Sequence, residues 1–422
     1  MAKSKIIAGI ELGSSKIATL VSQVTVDPAT YETGISVVGV SAVPSRGIRK
    51  GQIVDIEETV EAVVASVEAA ERMAGYNIDK AFVAIGGAHL HSQNSHGVVA
   101  VSDPDGEISI DDVTRVIEAA SAVSLPASRQ VIHVIPREFI VDGEAGVKDP
   151  IGMSGVRLEV ETHIITAAAA AIKNLTKALN EVGVSVEDLV FSGLSSANAV
   201  LSSTEKELGC AVIDIGGGTT SIAVFIEGGL AYSGVIPVGA RNVTNDLAIG
   251  LRVSLESAEE IKIALSTDSA KKKEGEASDT LDIIDTGSSE SKKVSKKTLT
   301  EGIIRPRLNE IFTMVRIELE KAGIANRIPS GVIITGGGAE TVGASDSAKR
   351  MLSLPVRIGK PKGISGLIDD IVNPAFATPV GLLFYGATLG IPEGEGTFSK
   401  NIKATSAGIA GKLIETIKNL LP

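Results

Sequence analysis

The sequence predicts an α/β protein of two similar halves with a small α+β insert in the first, and three observations predict it. The stretch "GIELGSSKIATLV" at 9–21 and the stretch "VIDIGGGTTSIAVF" at 212–225 share one plan. Each is an apolar strand ending on an acidic residue, a turn of Gly with Ser or Thr, and a second strand carrying Ile-Ala, as expected of two halves related by duplication. Between such strands lie segments whose apolar residues recur at helical spacing, which is α/β patterning. Finally, 422 residues exceed what one hydrophobic core usually supports.

Residues 6–24 read as strand, glycine turn and strand, and 35–43 as a third strand. Ile56, Val60, Val63, Val64, Val67 and Ala70 then share one helical face, started by Asp55 and Glu58 as a capping box. Residues 81–87 return to strand. Up to about 166 the pattern changes to "SHGVVAVS", a helix over 111–122, "RQVIHVIPREFIVDG" and "GVRLEVETHIIT", and strands around one helix predict the α+β insert. The helix "AAAAIKNLTKALNEVGV", the strand "DLVFSGLS" and the second glycine turn follow. Residues 266–299, dense in Lys, Ser, Asp and Glu, predict a solvated loop around one short strand, "TLDII". A third apolar strand ends on glycines in "GVIITGGGAETVG" at 331–343, with a helix after it.

Hydrophobic residues make up 44% and charged residues 22%, a folded composition, and aromatics of only 3% leave the core to aliphatic side chains. A net charge of −11 argues against nucleic acid as a partner, since phosphate binding needs clustered Lys and Arg. The single cysteine, Cys210, permits no internal disulfide and fits a reducing compartment as a small core residue. The amino terminus lacks a signal-peptide pattern, and no apolar run is long enough to span a membrane.

Glycine turns at strand ends let consecutive backbone N–H groups point into one concavity, through φ above zero and through the missing Cβ. Two such tips facing each other can grip a polyphosphate. Glu11 and Asp214, at the strand ends, then lie where Mg²⁺ on those phosphates needs carboxylates. The third turn lets a base or ribose approach the backbone. A Walker loop is absent, since "SAGIAGKLI" lacks the first Gly and the hydroxyl residue, and no Gly-x-Gly-x-x-Gly fingerprint is completed. His89, His91 and His96 lie in a polar stretch without carboxylates nearby in sequence, so they are not expected to hold a metal.

The ordered set "GIELGSSKIA", "DLVFSGLSSANAVL", "AVIDIGGGTTSIAVF", "GVIITGGGAETVG" and "PVGLLFYGATL" resembles the phosphate 1, connect 1, phosphate 2, adenosine and connect 2 motifs of the actin-like ATPases. Glu11 in place of the usual Asp, the insert sequences, and "ESAEEIKIALS" ahead of "KKTLTEGIIRPRLNEIF" resemble the FtsA family of bacterial cell-division proteins within that superfamily. The resemblance implies an actin-like two-half ATPase fold with the insert as subdomain 1C. Its divisions are 1–80 and 167–200 as subdomain 1A, 81–166 as 1C, 201–240 with 311–385 as 2A, 241–310 as 2B, 386–404 as linker and 405–422 as an amphipathic helix.

Carried over residue by residue, Gly13, Ser14, Ser15 and Lys16 match phosphate 1, and Asp214, Gly216, Gly217, Gly218, Thr219 and Thr220 match phosphate 2. Gly336, Gly337 and Gly338 match the adenosine motif, with Glu259 and Lys262 on the helix beside it. Asn198 falls where relatives position a water with Gln or Glu, so Asp214 and Asn198 are the catalytic candidates and at most a slow ATPase is expected. The implied cofactors are ATP and Mg²⁺. The implied partners are the FtsZ carboxyl-terminal tail, through Arg307 and Glu310, other copies of the chain in filaments, and further division proteins.

At the carboxyl end, Ile409, Leu413, Ile414, Ile417, Leu420 and Leu421 form one apolar stripe flanked by Lys412 and Lys418, which suits an anionic membrane surface. The resemblance places the protein on the cytoplasmic side of the cell membrane at the division site. Two other readings stay open: an actin homologue of type IV pilus assembly, and a small-molecule kinase of the same superfamily, for which no acceptor base is evident.

Overall fold

The computed structural model describes residues 4–26, 33–103, 105–271, 280–284, 291–367, 369 and 371–389. Two sheets repeat one topology. In the first, strand Ser4–Leu12 pairs antiparallel with Lys16–Val26, which pairs antiparallel with Thr33–Pro44; on its other side lie Lys80–Ile85 and then Ser185–Phe191, both parallel. In the second, Cys210–Ile215 stands where Ser4–Leu12 stands, flanked by antiparallel Thr220–Ile226 and Gly229–Ile236 and by parallel Val332–Thr335 and Val356–Ile358. The duplication seen in the glycine turns therefore extends to five strands on each side.

Alternation along Cys210–Ile215 sorts its side chains between two cores, because successive residues of a strand point to opposite faces. Ala211, Ile213 and Ile215 pack with Val243, Leu308 and Phe312 of the second half, whereas Cys210 and Val212 join the core that contains Ala197, Val380 and Leu383. Asp214 continues the Cys210–Val212 face and so looks toward the helices Ser192–Val200 and Ala377–Leu389. Those two helices cross at backbone contact, since a Cβ on Gly381 would stand 1.7 Å from the Ser195 carbonyl oxygen. Cys210 is a core residue whose thiol burial pushes up to about 12.

Residues 91–168 contribute a separate antiparallel sheet, in the order His91–Ala100, Arg157–Ala168, Arg129–Val141 and Glu144–Val147. Helix Ile110–Ser121, capped by Ser109, packs Val113, Val116 and Ile117 against Phe139, Leu158 and Val160. This insert also reaches the second half. The Ser92 hydroxyl donates to the Ser233 carbonyl at 2.7 Å, and His163 lies 2.6 Å from Asn94 Oδ1 through Nδ1 and 3.0 Å from the Ser233 hydroxyl through Nε2.

Several sequence boundaries shift. Strand Lys80–Ile85 belongs to the first sheet rather than the insert, because both its edges are taken by first-half strands. Residues 365–366 pair with Thr33–Pro44, and the helix Ala377–Leu389 buries Val380, Leu382 and Leu383 in the first core, so the second half does not run to 385 and no linker begins at 386. Helix Arg305–Lys321 runs unbroken through the expected boundary at 310. Within 266–299, helix Leu255–Lys271 extends six residues into the expected loop, and Thr280–Ile284 pairs with a second strand, Ser291–Ser295. The carboxyl-terminal stripe from Ile409 to Leu421 lies outside the described residues.

Candidate functional site

The two glycine turns close by the same bond. Gly13 N–H donates to the Lys16 carbonyl at 3.0 Å, and Gly216 N–H donates to the Thr219 carbonyl at 2.9 Å. None of Gly13, Gly216, Gly217 and Gly218 lies in the left-handed region, so the expected use of φ above zero is not what selects glycine here. Close approach selects it. A Cβ on Gly217 would stand 2.8 Å from Ser15 Cβ, and one on Gly218 would stand 2.7 Å from Ser14 Oγ and 3.0 Å from Lys50 N. The structure thus brings the two tips face to face.

Each tip is braced from behind. Ser14 Oγ accepts from Gly51 N–H at 2.9 Å, which sets residues 48–53 against the first tip. Behind the second tip the helix Ala240–Leu251 begins, and its Ala240 and Arg241 N–H groups donate to the Gly216 and Gly217 carbonyls at 2.9 Å each. Arg241 also reaches across, donating to the Ser14 carbonyl at 3.3 Å. Thr220 starts the returning strand and donates to the Val238 carbonyl at 2.9 Å. Neither Lys50 nor Arg241 stands out in the sequence; for Lys50 the only local signal is "SRGIRKG" ahead of the first helix.

Beside the tips sit one buried acid, Asp214, one half-buried acid, Glu11, and one half-buried lysine, Lys16. Burial pushes the Glu11 carboxyl up to about 7, against the pull of Lys16 and with a further push from Asp214. Glu11 Oε2 is buried without a hydrogen-bond partner among the described residues. Asp214 is also raised by burial, opposed by hydrogen bonds from Ser196 and Thr378 and by Lys16. Lys16 is lowered by burial and held up by Glu11, Asp214 and Glu340. Its ammonium donates to the Ala375 carbonyl at 2.5 Å and lies 3.6 Å from the Phe376 ring centroid. Two desolvated carboxyls, one with an orphaned oxygen, fit a divalent cation that is completed by phosphate and water. Among the described residues no three His, Cys, Asp or Glu side chains gather into a metal site.

The third turn adjoins this cluster. Gly336 has φ +79° and a Cβ there would stand 2.2 Å from Asp214 Oδ1, so this position needs glycine on both counts. Gly336 N–H donates to the Pro374 carbonyl at 3.0 Å. Gly338 rests on Ile215, whereas a Cβ on Gly337 would meet only Ala375 Cβ, at 3.7 Å, which leaves that backbone open to a ligand. Helix Leu255–Lys271 lies against the same loop, where Val342 N–H donates to Ser266 Oγ at 3.1 Å. On that helix Lys262 is buried and donates to Glu259 at 2.7 Å and to Thr244 at 3.0 Å. Both residues therefore satisfy each other and Thr244, not the glycine turn.

One expectation needs correction. Asn198 does not face the tips: its Oδ1 accepts from Lys206 at 3.2 Å. On helix Ser192–Val200 the residues facing Asp214's sheet are one turn apart, Ser192 and Ser196, and Asn198 lies two positions on, well round the helix. Ser196 and Thr378 both donate to Asp214 Oδ2, and Ser192 Oγ lies 3.0 Å from Ser221 Oγ. Arg307 and Glu310, the pair expected at the partner site, bond each other at 2.5 Å, and Arg307 also forms a two-pronged pair with Asp246 at 2.6 and 2.9 Å. Of the histidines, His96 pairs with Glu159 at 2.8 Å. His89 lines a cavity of about 170 Å³ behind the first tip together with Leu12, Gly51 and Asn174.

Comparison with known proteins agrees with this arrangement. The family described as "SHS2 domain inserted in FTSA" matches residues 87–166, and the family "Cell division protein FtsA" matches 211–381. Cell division protein FtsA of Pseudomonas aeruginosa is 41% identical over 90% of this chain and 89% of its own, and that of Escherichia coli K12 is 35% identical over 95% and 94%. Among solved structures, the type IV pilus biogenesis complex PilM-PilN superposes with a TM-score of 0.64 at 16% identity, covering 90% of this chain and 98% of its own. MreB5 of Spiroplasma citri bound to AMPPNP superposes with a TM-score of 0.51 at 16% identity, covering 91% and 97%. The structural likenesses establish the actin-like fold, and the sequence relatives make the chain a member of the FtsA family of cell-division proteins.

Proposed function

We propose that the facing tips bind ATP with Mg²⁺ and that nucleotide binding favours assembly of the chain into filaments that tether FtsZ to the cytoplasmic membrane at the division site. The observation that carries the nucleotide reading is the pair of tips closed by one and the same bond, with Glu11 and Asp214 beside them. Backbone N–H groups of residues 14–15 and 217–218 would meet phosphate oxygens, and Arg241 and Lys16 add positive charge. Glu11 and Asp214 would hold Mg²⁺, which when bound neutralises phosphate charge. The name AMPPNP carried by the MreB5 neighbour supports a nucleotide in this cleft. In calorimetric titration the intact chain is expected to bind MgATP and Gly217→Val not to; equal affinity would refute the assignment.

The two carboxyls beside the tips, Glu11 and Asp214, are assigned to Mg²⁺ in this reading, and the Asn198 amide is turned toward Lys206, so neither is left to orient water. Hydrolysis is therefore proposed to be slow, below about 1 per second, so that nucleotide acts as a switch. The FtsZ tail is proposed to dock on the subdomain carrying helix Arg305–Lys321. Because Arg307 holds Asp246, the cleaner probe is Glu310, whose side chain is 50% exposed: Glu310→Lys should weaken tail binding and leave ATP affinity unchanged. The carboxyl-terminal stripe is proposed as the membrane anchor, each contact weak and strengthened by filament assembly. Deleting 405–422 should release the protein from anionic liposomes while MgATP binding persists; undiminished co-sedimentation would rule the tail out as anchor.

A further inference from the structure

Asp214 belongs to the second sheet, yet its carboxylate is gripped from the first half. Oδ2 accepts from Ser196 of helix Ser192–Val200 and, at 2.8 Å, from Thr378 of helix Ala377–Leu389. The two hydroxyls lie 2.8 Å from each other, and Ser195 Oγ donates to the Thr378 carbonyl at 2.7 Å, so adjacent serines of one helix hold both the side chain and the backbone of one threonine on the other. All four groups are buried, with Ser195 and Ser196 at 0%, Thr378 at 4% and Asp214 at 8% exposure. The other carboxylate oxygen has room only because position 336 is glycine.

A buried carboxylate on a single-bonded Cβ can turn about χ2 unless something fixes it. Here two donors on one oxygen do so, and such charge-assisted bonds are about twice as strong as neutral ones. Among the described residues Glu11 has no comparable grip on Oε2. The cost of ordering Asp214 is thus met before any ligand arrives, and the helices that meet it are the two that cross at Gly381 and Ser195. Both helices pack in the core of the first half, through Ala197 and Val380.

We propose that Ser196 and Thr378 are positioning residues that aim the Asp214 carboxylate at the Mg²⁺ of the bound nucleotide and tie its occupancy to the crossing of helices Ser192–Val200 and Ala377–Leu389. The proposal rests on the nucleotide reading given above. It assigns no contact between either hydroxyl and the ligand. Both act through Asp214.

The test titrates ATP into the full chain, with excess Mg²⁺ and again with a chelator, for wild type, Ser196→Ala, Thr378→Val, Thr378→Ser and Asp214→Asn. Losing one charge-assisted bond should weaken ATP binding in Mg²⁺ by roughly tenfold to a hundredfold in Ser196→Ala and Thr378→Val. Binding without metal should stay at the wild-type value, and Thr378→Ser, which keeps the hydroxyl, should restore most of the loss. Hydrogen exchange supplies the second readout: MgATP should slow exchange in 192–200 and 377–389 in wild type and less so in the two variants. Equal loss with and without metal, or no loss, overturns the proposal. If Asp214→Asn itself keeps full affinity for MgATP, the metal reading falls; if only Asp214→Asn loses it, the positioning role alone falls.

Discussion

The two tips share a closing bond and a neighbouring acid, yet the acids are held in opposite ways. Asp214 is short and anchored by two hydroxyls from helices of the other half. Glu11 is one methylene longer, has an oxygen without a partner among the described residues, and is pushed up to about 7 by burial. A duplicated strand-turn-strand unit has thus diverged into one fixed carboxylate and one held loosely. In the proposed reading the fixed one would define where Mg²⁺ sits, while the loose one would adapt to it. The difference comes from what packs behind each strand, since both acids stand near the end of the strand that leads into the turn.

The largest effect that would break this comparison is on stability without metal. Asp214→Ala removes two charge-assisted bonds from buried hydroxyls, which keep each other as partners, and should lower unfolding free energy by about 1–3 kcal/mol, read by denaturant titration. Glu11→Met removes a carboxyl whose Oε2 is buried without a partner among the described residues, in a similar volume, and should be neutral or stabilising. Equal destabilisation by the two would show that the acids are held alike.

Next come the turns themselves. A Cβ on Gly13 would stand 2.7 Å from the Lys16 carbonyl, whereas one on Gly216 would stand 3.2 Å from the Thr219 carbonyl. Gly13→Ala should therefore cost about 1–3 kcal/mol and Gly216→Ala under about 1 kcal/mol. A thermal-shift series that ranks them the other way would contradict the geometry.

What is legible in the sequence is local. The tips, both acids and the third glycine turn lie within single short stretches whose strand period and turn residues can be read directly. Choosing Ser196 over Asn198 on helix Ser192–Val200 requires knowing which helical face meets Asp214, and that face is set by Thr378, 182 residues away. Lys50 and Arg241 are hidden for the same reason, since the contact of Arg241 with Ser14 spans 227 residues. The end of the second half is equally obscure, because "PVGLLFYGATL" is apolar all round and its pattern cannot say which core it enters.

A further effect, spread over several pH units, concerns the insert, which bridges to the second half through His163. Burial, with Arg137 and His133 nearby, pushes His163 down to about 3, so it stays neutral between Asn94 and Ser233. The unfolded chain takes up this proton near 6.5, so the contribution to stability is complete above that pH and is lost as pH falls from 6.5 toward 3. The slope from this one group is at most about 1.4 kcal/mol per pH unit. His163→Gln should flatten that limb of the stability profile, and an unchanged slope would deny the bridge its role. The smallest effect is expected at Asn198, where Asn198→Ala should alter any ATP turnover by less than about twofold, because the amide faces Lys206. A loss beyond about tenfold, or about 1.4 kcal/mol in the barrier, would return it to the site.

The most direct measurement is a crystal structure of the chain with Mg²⁺ and a non-hydrolysable ATP analogue. The expected result has phosphate oxygens accepting from N–H groups of both tips, the metal beside Glu11 and Asp214, and Asp214 Oδ2 still bonded to Ser196 and Thr378. A nucleotide bound anywhere else, or bound with only one tip in contact, would contradict the account.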